Sequence, residues 1–422
     1  MRNTDATESA RSVTFRDVFA LREFRALWAA HVLSLVGDQL ARVALSVLVY
    51  AKTGSPLLTA LTYALGFLPW LIGGPLLSGL ADRLPRRTVM VVADLVRAAL
   101  IGLMVLPGVP LSVLLALLFA AELCAPPFSA ARAALMPQVF DDDDGLYVVG
   151  SAVNTITWEA AQVGGFVLGG VCVAVLKPQG ALLLDAATFV ISAVLLIMWV
   201  RDRPVPKRAG DTPAGLGADL MVGARLVLGD PWLRTLTILA WLCSAYMVPE
   251  ALAAPVAKAE GAGPLAVGLL LAANPIGTTI GSVVIGRWVR PERRLRWLLP
   301  MAVLCGVPLI ACLADPGLLW IGVLWGLSGV FSAYNLAANA AFVRGVPDAR
   351  RGQAFGLVQA GMAVGQGVGF LLAGAAAEWV ALTTVVGVAG IVTSAVALGA
   401  GLDTVRRKRR GGPAGPPIPV TA

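Results

Sequence analysis

The feature that most constrains this chain is a series of apolar runs, each long enough to cross a bilayer and separated from the next by a short polar segment. The runs lie at about 27–50, 57–81, 88–106, 110–136, 148–176 and 180–200, and then at about 232–257, 264–289, 297–314, 317–343, 353–377 and 379–402. A hydrocarbon core of about 30 Å needs roughly 20 apolar residues in a helix. Because lipid cannot satisfy backbone polar groups, each run is expected to be helical. We therefore predict an all-α, polytopic membrane protein with 12 transmembrane helices.

Composition agrees with a membrane location. Hydrophobic residues make up 58% of the chain and charged residues 14%, whereas a soluble domain carries about 25% charged residues. The net charge of +8 would suggest nucleic acid as a partner of a soluble protein, but here the basic residues gather mainly in the loops. The expected surroundings are therefore the lipid bilayer, and no nucleic-acid partner is expected.

Lysine and arginine occupy the loops at alternate ends of the predicted helices. They cluster before the first run, after the second, sixth, eighth and tenth, and after the twelfth, whereas the opposite loops carry only Lys52, Lys177 and Lys258. Positively charged loops remain on the cytoplasmic side, so both termini and the central loop are expected there. The preference for arginine over lysine and the abundance of alanine and glycine are typical of a GC-rich bacterial genome. The predicted location is the bacterial cytoplasmic (inner) membrane.

The chain also contains an internal repeat. Residues 73–87 align without gaps with residues 280–294, and the segment Gly165–Gly170 matches Gly369–Gly374. Between the copies lies a polar segment with several prolines and glycines, which is typical of a linker. We therefore divide the chain into an N-terminal six-helix bundle at 1–205, a cytoplasmic linker at 206–229, a C-terminal six-helix bundle at 230–410 and a disordered tail at 411–422.

Several segments carry a family resemblance. The loop Ser78–Arg87 is similar to the signature loop of the major facilitator superfamily. Gly165–Gly170 resembles the helix-five signature of its antiporter members, with Phe166 in place of proline. Further phrases resemble the branch that contains the enterobactin exporter and the macrolide efflux proteins, and they lie at 35–38, 53–56, 93–97, 131–137 and 184–189.

The resemblance implies the major facilitator fold, in which two pseudo-symmetric six-helix bundles give alternating access to a mid-membrane cavity. It implies a secondary active efflux transporter, an antiporter of the multidrug-resistance kind. Such a protein exports a small amphiphilic organic molecule, such as a drug, an antibiotic or a siderophore-like natural product, in exchange for protons. A proton-coupled importer or a lipid flippase of the same fold is the alternative.

Motifs of other classes are absent from the sequence. There is no GxxxxGK[ST] for ATP, no HExxH and no histidine-supported nucleophile. We expect a gradient-driven transporter and not an enzyme, with no cofactor and no metal. The expected partners of a monomeric protein are its small-molecule substrate, protons and lipid.

Ionisable residues inside the runs are candidates for proton coupling, because a charge at the bilayer centre costs about 2.5–3.5 kcal/mol or more unless it is paired or hydrated. Asp38 and Arg42 lie four residues apart, on one face of the first helix. Glu122 and Glu159 add two acids at similar depth. Three acids for one base leave an unpaired carboxylate, so we predict that Asp38 or Glu122 couples protons and that Arg42 tunes it. The alternative is a self-neutralising Asp38–Arg42 pair that fastens the helix to a neighbour.

A gating latch is expected at the inner ends of the second, third and fourth helices. The resemblance implies that Asp82 caps helix eleven, where the helix dipole favours a carboxylate. Ordinary interfacial anchoring is the alternative for Arg132. The other residues expected in the latch are Arg83, Arg86, Arg87, Asp94 and Arg97.

The second half is poor in charge and rich in amides, which suits an amphiphilic organic cargo. Glu250 is an outer-third carboxylate that could bind a cationic group, and most of the other polar residues are alternatively interhelical hydrogen-bond partners. The residues expected to line the substrate cavity are Glu250, Asn274, Tyr334, Asn335, Asn339 and Gln359. Small residues let helices approach closely, and the glycines expected at helix packing are Gly165, Gly169, Gly170, Gly369 and Gly374.

Overall fold

The computed structural model describes residues 13–141, 143–203, 216–347 and 350–409, without the side chains at 71–83, 216–220, 291–292, 405 and 407–409. All regular structure in these residues is helical, which confirms the predicted all-α class. The predicted tail at 411–422 and the first part of the predicted linker lie outside the described residues.

The first half begins with the short helix α1 (Phe15–Ala20). The helices that follow are α2 (Arg22–Thr53), α3 (Pro56–Arg83), α4 (Arg86–Met104), α5 (Leu111–Glu122), α6 (Ala125–Val139) and α7 (Asp144–Trp199). Helix α7 covers two predicted spans and is broken at Lys177, whose φ of 63° is not helical. Because a residue before proline avoids the helical region, Pro178 explains why the break falls there.

The second half begins with α8 (Leu216–Gly229), which lies in the segment predicted as a linker. The seventh span consists of three short helices, α9 (Pro231–Trp241), α10 (Cys243–Tyr246) and α11 (Val248–Ala259). The remaining helices are α12 (Pro264–Trp288), α13 (Pro291–Ala311), α14 (Leu318–Ser332), α15 (Tyr334–Gly345), α16 (Arg351–Ala376) and α17 (Leu382–Arg409).

Nine helical segments among the described residues are long and apolar enough to cross a membrane, and one of them is the broken helix α7. Helices α3 and α4 occupy the places of the second and third predicted spans. The side chains of α3 are described only as far as Trp70, and α4 carries two arginines at its start and the charged residues Asp94 and Arg97 further along.

The fourth and tenth spans are interrupted at matching places in the two halves. Helix α5 ends at Glu122 and α6 begins at Ala125, while α14 gives way to α15 at Ala333. Irregular backbone at membrane depth is tolerated where it lines a cavity. Glu122 and Ala333 both line cavities, which explains how these interruptions persist.

We call the end of the bundle with the loop at 84–85 the inner end, and the end with the loop at 54–55 the outer end. The two halves meet where α3 packs along α16 and where α7 packs along α12. At the outer end these contacts are close: a Cβ on Gly170 would lie 3.1 Å from the Gly268 Cα, and a Cβ on Gly374 would lie 2.6 Å from the Ala60 Cβ. The outer end is therefore closed.

Candidate functional site

A cavity of about 500 Å³ lies at the inner end between the two halves. Its walls come from the second half, and among the described residues the first half contributes only Glu159 of α7. Three amides and three aromatic rings line it, namely Asn335, Asn339, Gln359, Tyr246, Phe342 and Phe355. Ligand pockets of about 300–1,000 Å³ with mainly apolar walls and a few polar groups hold drug-sized molecules. One carboxylate opposite this wall suits a molecule with an apolar body and a cationic group.

Glu378, just after α16, connects the two halves at the outer end. One of its carboxylate oxygens accepts a hydrogen bond from the Ser55 hydroxyl at 2.5 Å and another from the Leu57 main-chain N–H at 3.1 Å. These donors lie at the N-terminus of α3, where the helix dipole stabilises a negative charge. We call this contact the Glu378 cap.

Buried charges gather in the first half between α2, α4 and the second span of α7. Arg97 of α4 forms an ion pair with Asp38 of α2 at 2.5 Å. Its guanidinium also lies over the ring of Phe189, 4.2 Å from the centroid, in a cation–π contact. The Arg97 side chain is 4% exposed and that of Asp38 is 23% exposed, so Asp38 keeps some access to the exterior.

Two further carboxyl groups complete this cluster. Asp94 accepts a hydrogen bond from the Ser192 hydroxyl at 2.6 Å. Asp185 is fully buried, and neither of its carboxyl oxygens has a hydrogen-bond partner. We call Asp38, Asp94, Arg97 and Asp185 the Arg97 cluster. It places three acids around one base.

The structure brings three of the four predicted coupling residues together. Asp38, Arg42 and Glu122 line one small cavity of about 20 Å³, whereas Glu159 faces the large cavity. Asp38 forms its ion pair with Arg97 and not within its own helix. The coupling role of these residues is still a prediction.

The predicted gating latch is described in part. The side chains of Asp82 and Arg83 lie outside the described residues. Arg86 and Arg87 donate to main-chain oxygens of α6 and α7 at 2.7 and 2.5 Å, and Arg132 donates to an amide oxygen of α7 at 3.3 Å. These three contacts stay within the first half, and Asp94 and Arg97 belong to the Arg97 cluster.

The predicted cavity residues divide into three groups. Tyr334 is buried and its hydroxyl donates to a main-chain oxygen of α9 at 2.7 Å. Glu250 and Asn274 line a separate cavity of about 10 Å³. The residues that line the large cavity are Asn335, Asn339 and Gln359.

The predicted packing glycines lie where helices cross. On α7, Gly165 and Gly169 face α2, and Gly170 faces α12. On α16, Gly369 faces α10 and Gly374 faces α3. Helices α7 and α16 therefore make equivalent contacts, each with the first span of its own half and with the second span of the other half.

Sequence reasoning missed Asp185, Ser192 and Glu378. A carboxyl group inside an apolar run is a functional candidate by position alone, so the sequence does contain a signal for Asp185. Glu378 offers no such signal, because its partner Ser55 is distant in the chain and only the folded bundle brings them together.

Two like helical bundles that meet at one end and enclose a cavity at the other have the architecture of a membrane transporter. The sequence profile of the Major Facilitator Superfamily matches residues 27–253 and 244–420. The chain belongs to the Major Facilitator Superfamily, and it is a multi-pass membrane transporter and not an enzyme.

Solved structures show the same fold. A POT family transporter in complex with 5-aminolevulinic acid has a TM-score of 0.72 and 12% identity, over 94% of this chain and 98% of that chain. A bacterial homolog of the human lysosomal transporter Spinster, in an inward-facing and unoccupied conformation, has a TM-score of 0.69 and 13% identity, over 93% and 99%. The nucleoside transporter NupG has a TM-score of 0.67 and 14% identity, over 89% and 98%.

One relative points to a branch within the superfamily. Macrolide efflux protein A of Streptococcus pyogenes is 35% identical over 77 residues, which are 18% of this chain and 19% of that protein. The match thus covers a small part of either protein, and it supports the resemblance to the efflux branch.

Proposed function

We propose that the protein is a secondary active efflux transporter that exports a small amphiphilic organic molecule by proton antiport. The observation that carries this proposal is that the two halves contain different kinds of polar group. The first half holds an excess of buried carboxyl groups, and the second half supplies an aromatic and amide wall to a cavity of about 500 Å³. Protons that bind to the first half and cargo that binds to the second half can therefore both shift the equilibrium between the inward-open and outward-open conformations.

Glu159 provides a direct link between cargo and proton. It is the described carboxylate that faces the large cavity. A carboxylate there can bind either a cationic group of the cargo or a proton. Because the two compete for Glu159, one replaces the other each time the cavity opens to the opposite side. Asp38, Arg42 and Glu122 form a second coupling site around their small cavity.

The two bundles at 1–205 and 230–410 then move as units about the 206–229 linker. The inner end faces the cytoplasm of a bacterial inner membrane, with both termini on that side, and the protein works as a monomer. Asp82 closes the inner end in the opposite conformation, at the N-terminus of helix α16. The Glu378 cap closes the outer end in the conformation seen here.

A susceptibility screen tests the cargo class. The protein is expressed in a bacterial strain that lacks its own efflux pumps, and growth is measured against erythromycin, neutral antibiotics, cationic dyes and catecholate siderophores. Efflux predicts resistance to a subset of cationic amphiphiles. Unchanged susceptibility to every compound would count against export.

Direction and coupling require a transport assay. Everted membrane vesicles with an imposed proton gradient are expected to accumulate labelled erythromycin, and a protonophore should abolish this accumulation. Asp38→Asn and Glu159→Gln should impair it, while Asp315→Asn, in an outer loop, should not. Accumulation only in right-side-out vesicles would identify an importer, and movement of a labelled phospholipid alone would identify a flippase.

A further inference from the structure

Asp185 has no individual role in the transport scheme above, yet it is a fully buried carboxyl group inside a membrane span. It lies one turn before Phe189, whose ring lies beneath the Arg97 guanidinium. Its carboxyl packs against the main chain of α2, since a Cβ on Gly37 would lie 2.2 Å from one of its oxygens. An ionised carboxylate with no hydrogen bond in such a place would cost several kcal/mol.

The surrounding charges leave Asp185 as the acid without a partner. Asp38 is paired with Arg97 at 2.5 Å. Asp94 accepts a hydrogen bond from a serine hydroxyl at 2.6 Å, and Glu122 shares its small cavity with Arg42. The ionisable groups near Asp185 are Asp38 on α2, Arg97 on α4 and Glu122 on α5, and Asp94 lies near Arg97.

The hydroxyl of Thr188 is engaged with the main chain next to the Asp185 carboxyl. It lies beside the carboxyl, because both groups crowd the same face of Gly37. The Thr188 hydroxyl already donates its proton to the Asp185 main-chain oxygen at 2.7 Å. In this arrangement the hydroxyl gives no hydrogen bond to the carboxyl, whose two oxygens have no partner.

We propose that Asp185 is a proton-binding site and that Arg97 moves between Asp38 and Asp185 according to whether Asp185 holds its proton. With the proton bound, Asp185 is neutral and Arg97 pairs with Asp38, as observed. When the proton leaves through the small cavity that Asp38 lines, the new carboxylate attracts Arg97. Asp38 then loses its partner and becomes able to accept a proton from that cavity. Only the assignment of this exchange to cargo coupling rests on the proposed function.

Infrared difference spectroscopy tests the proton site without any cargo. The full-length protein is placed in lipid nanodiscs, and spectra are compared between acid and alkaline pH in the region of the carboxylic-acid carbonyl stretch. The wild type should show a band from a buried protonated carboxyl that Asp185→Asn removes. Asp315→Asn is the matched control, because Asp315 lies in an outer loop with φ of 48°, which asparagine tolerates, and the band should remain.

The same measurement tests the movement of Arg97. In Asp38→Asn, Arg97 has no carboxylate on α2, so it should pair with Asp185 and lower the pH at which the band disappears by about one unit, a tenfold loss of proton affinity. A band that persists in Asp185→Asn would overturn the proton site, and Asp185→Ser gives the same readout if the amide variant fails to insert. A band lost in Asp185→Asn but unchanged in Asp38→Asn would overturn the movement of Arg97.

The vesicle assay separates this proposal from the proposed function. Suppose that the vesicles accumulate erythromycin in response to the proton gradient, but the infrared band persists in Asp185→Asn. That result would overturn the proton site and leave the proposed function standing. The expected band behaviour in a protein without proton-driven transport would support the proton site and count against the proposed function.

Discussion

Glu159 is the residue at which cargo recognition is most directly testable. It stands opposite an amide and aromatic wall in the large cavity. If the protein exports cationic amphiphiles as proposed, we expect Glu159→Gln to lower efflux of such a compound by about tenfold, equivalent to roughly 1.4 kcal/mol of lost attraction. Efflux is measured as initial rate in cells, with Glu260→Gln in an exposed outer loop as the control. An equal loss for a neutral antibiotic would contradict a charge-specific role.

Arg203 fastens the inner ends of three helices. Both terminal nitrogens of its guanidinium donate to the Glu23 carboxylate, one of them at 2.9 Å, and it also donates to the Gln138 main-chain oxygen at 3.2 Å. The hydrogen bond to Glu23 raises the pKa of Arg203 above its ordinary value, despite an opposing effect of burial. A base whose pKa is raised by folding contributes its full stabilisation at neutral pH and loses it only as the pH rises through that pKa.

We therefore expect Arg203→Lys to destabilise the protein by about 1 kcal/mol at pH 7, because lysine cannot form the two-bond fork. The measurement is thermal unfolding in detergent, followed by tryptophan fluorescence. Arg201→Lys, at an exposed neighbouring position, is the control. If both variants lower the unfolding temperature equally, the two hydrogen bonds from Arg203 to Glu23 do not stabilise the protein.

At the residue scale the sequence predicts which side chains are chemically unusual but not how they pair. Asp38 and Arg42 share a helix face by spacing, and yet Asp38 pairs with Arg97 on another helix. Periodicity determines which face a residue occupies, whereas a partner depends on how the helices are rotated against each other. That rotation is set by packing over the whole bundle.

At the scale of single elements, the Glu378 cap joins the end of α16 to the start of α3. We expect Glu378→Gln to weaken outer closure by about 1 kcal/mol, roughly a fivefold change in populations, because the amide lacks the charge that the helix dipole stabilises. Reactivity of Ala60→Cys toward a membrane-impermeant maleimide reports opening, since Ala60 is fully buried when the outer end is closed. Glu260→Gln should leave this reactivity unchanged, and an unchanged rate in Glu378→Gln would contradict the cap.

Closure of the outer end should also depend on the close crossing of α7 and α12. A Cβ on Gly268 would lie 2.4 Å from the Phe166 main-chain oxygen, so Gly268→Ala must push the helices apart at a cost of about 1–3 kcal/mol. We expect the same maleimide assay to show a more open outer end. Gly286→Ala on the same helix is the matched control, because a Cβ there meets nothing within 4 Å. Equal reactivity of the two variants would contradict a role for this crossing in closure.

Elements were largely predictable because the bilayer imposes one length and one kind of backbone structure on each apolar run. The interruptions inside spans were not. Pro126 and Pro127 give a local reason for the break before α6, but the break at Ala333 has no proline beside it. Such a break is tolerated because it lines a cavity, which is a property of the assembled bundle.

At the scale of the whole molecule, the pairing of the second and eleventh spans would have a closing device at each end. The Glu378 cap places a carboxylate from the end of the eleventh span at the start of the second. The resemblance places Asp82, at the end of the second span, at the start of the eleventh. The second and eleventh spans would then each supply a carboxylate at one end of the pair and receive one at the other end. The outer contact, made by Glu378, and the inner contact, made by Asp82, need never form at the same time.

The Glu378 cap also has a consequence for cargo capture. A ligand that binds only one conformation has an apparent dissociation constant equal to its intrinsic value divided by the fraction of protein in that conformation. A cap that stabilises outer closure would raise the fraction of empty transporters that are open at the inner end. If that end faces the cytoplasm, as the basic loops predict, and the protein exports its cargo as proposed, dilute cargo would meet a binding site that is already open. The proton gradient would then drive the release of cargo and not its capture.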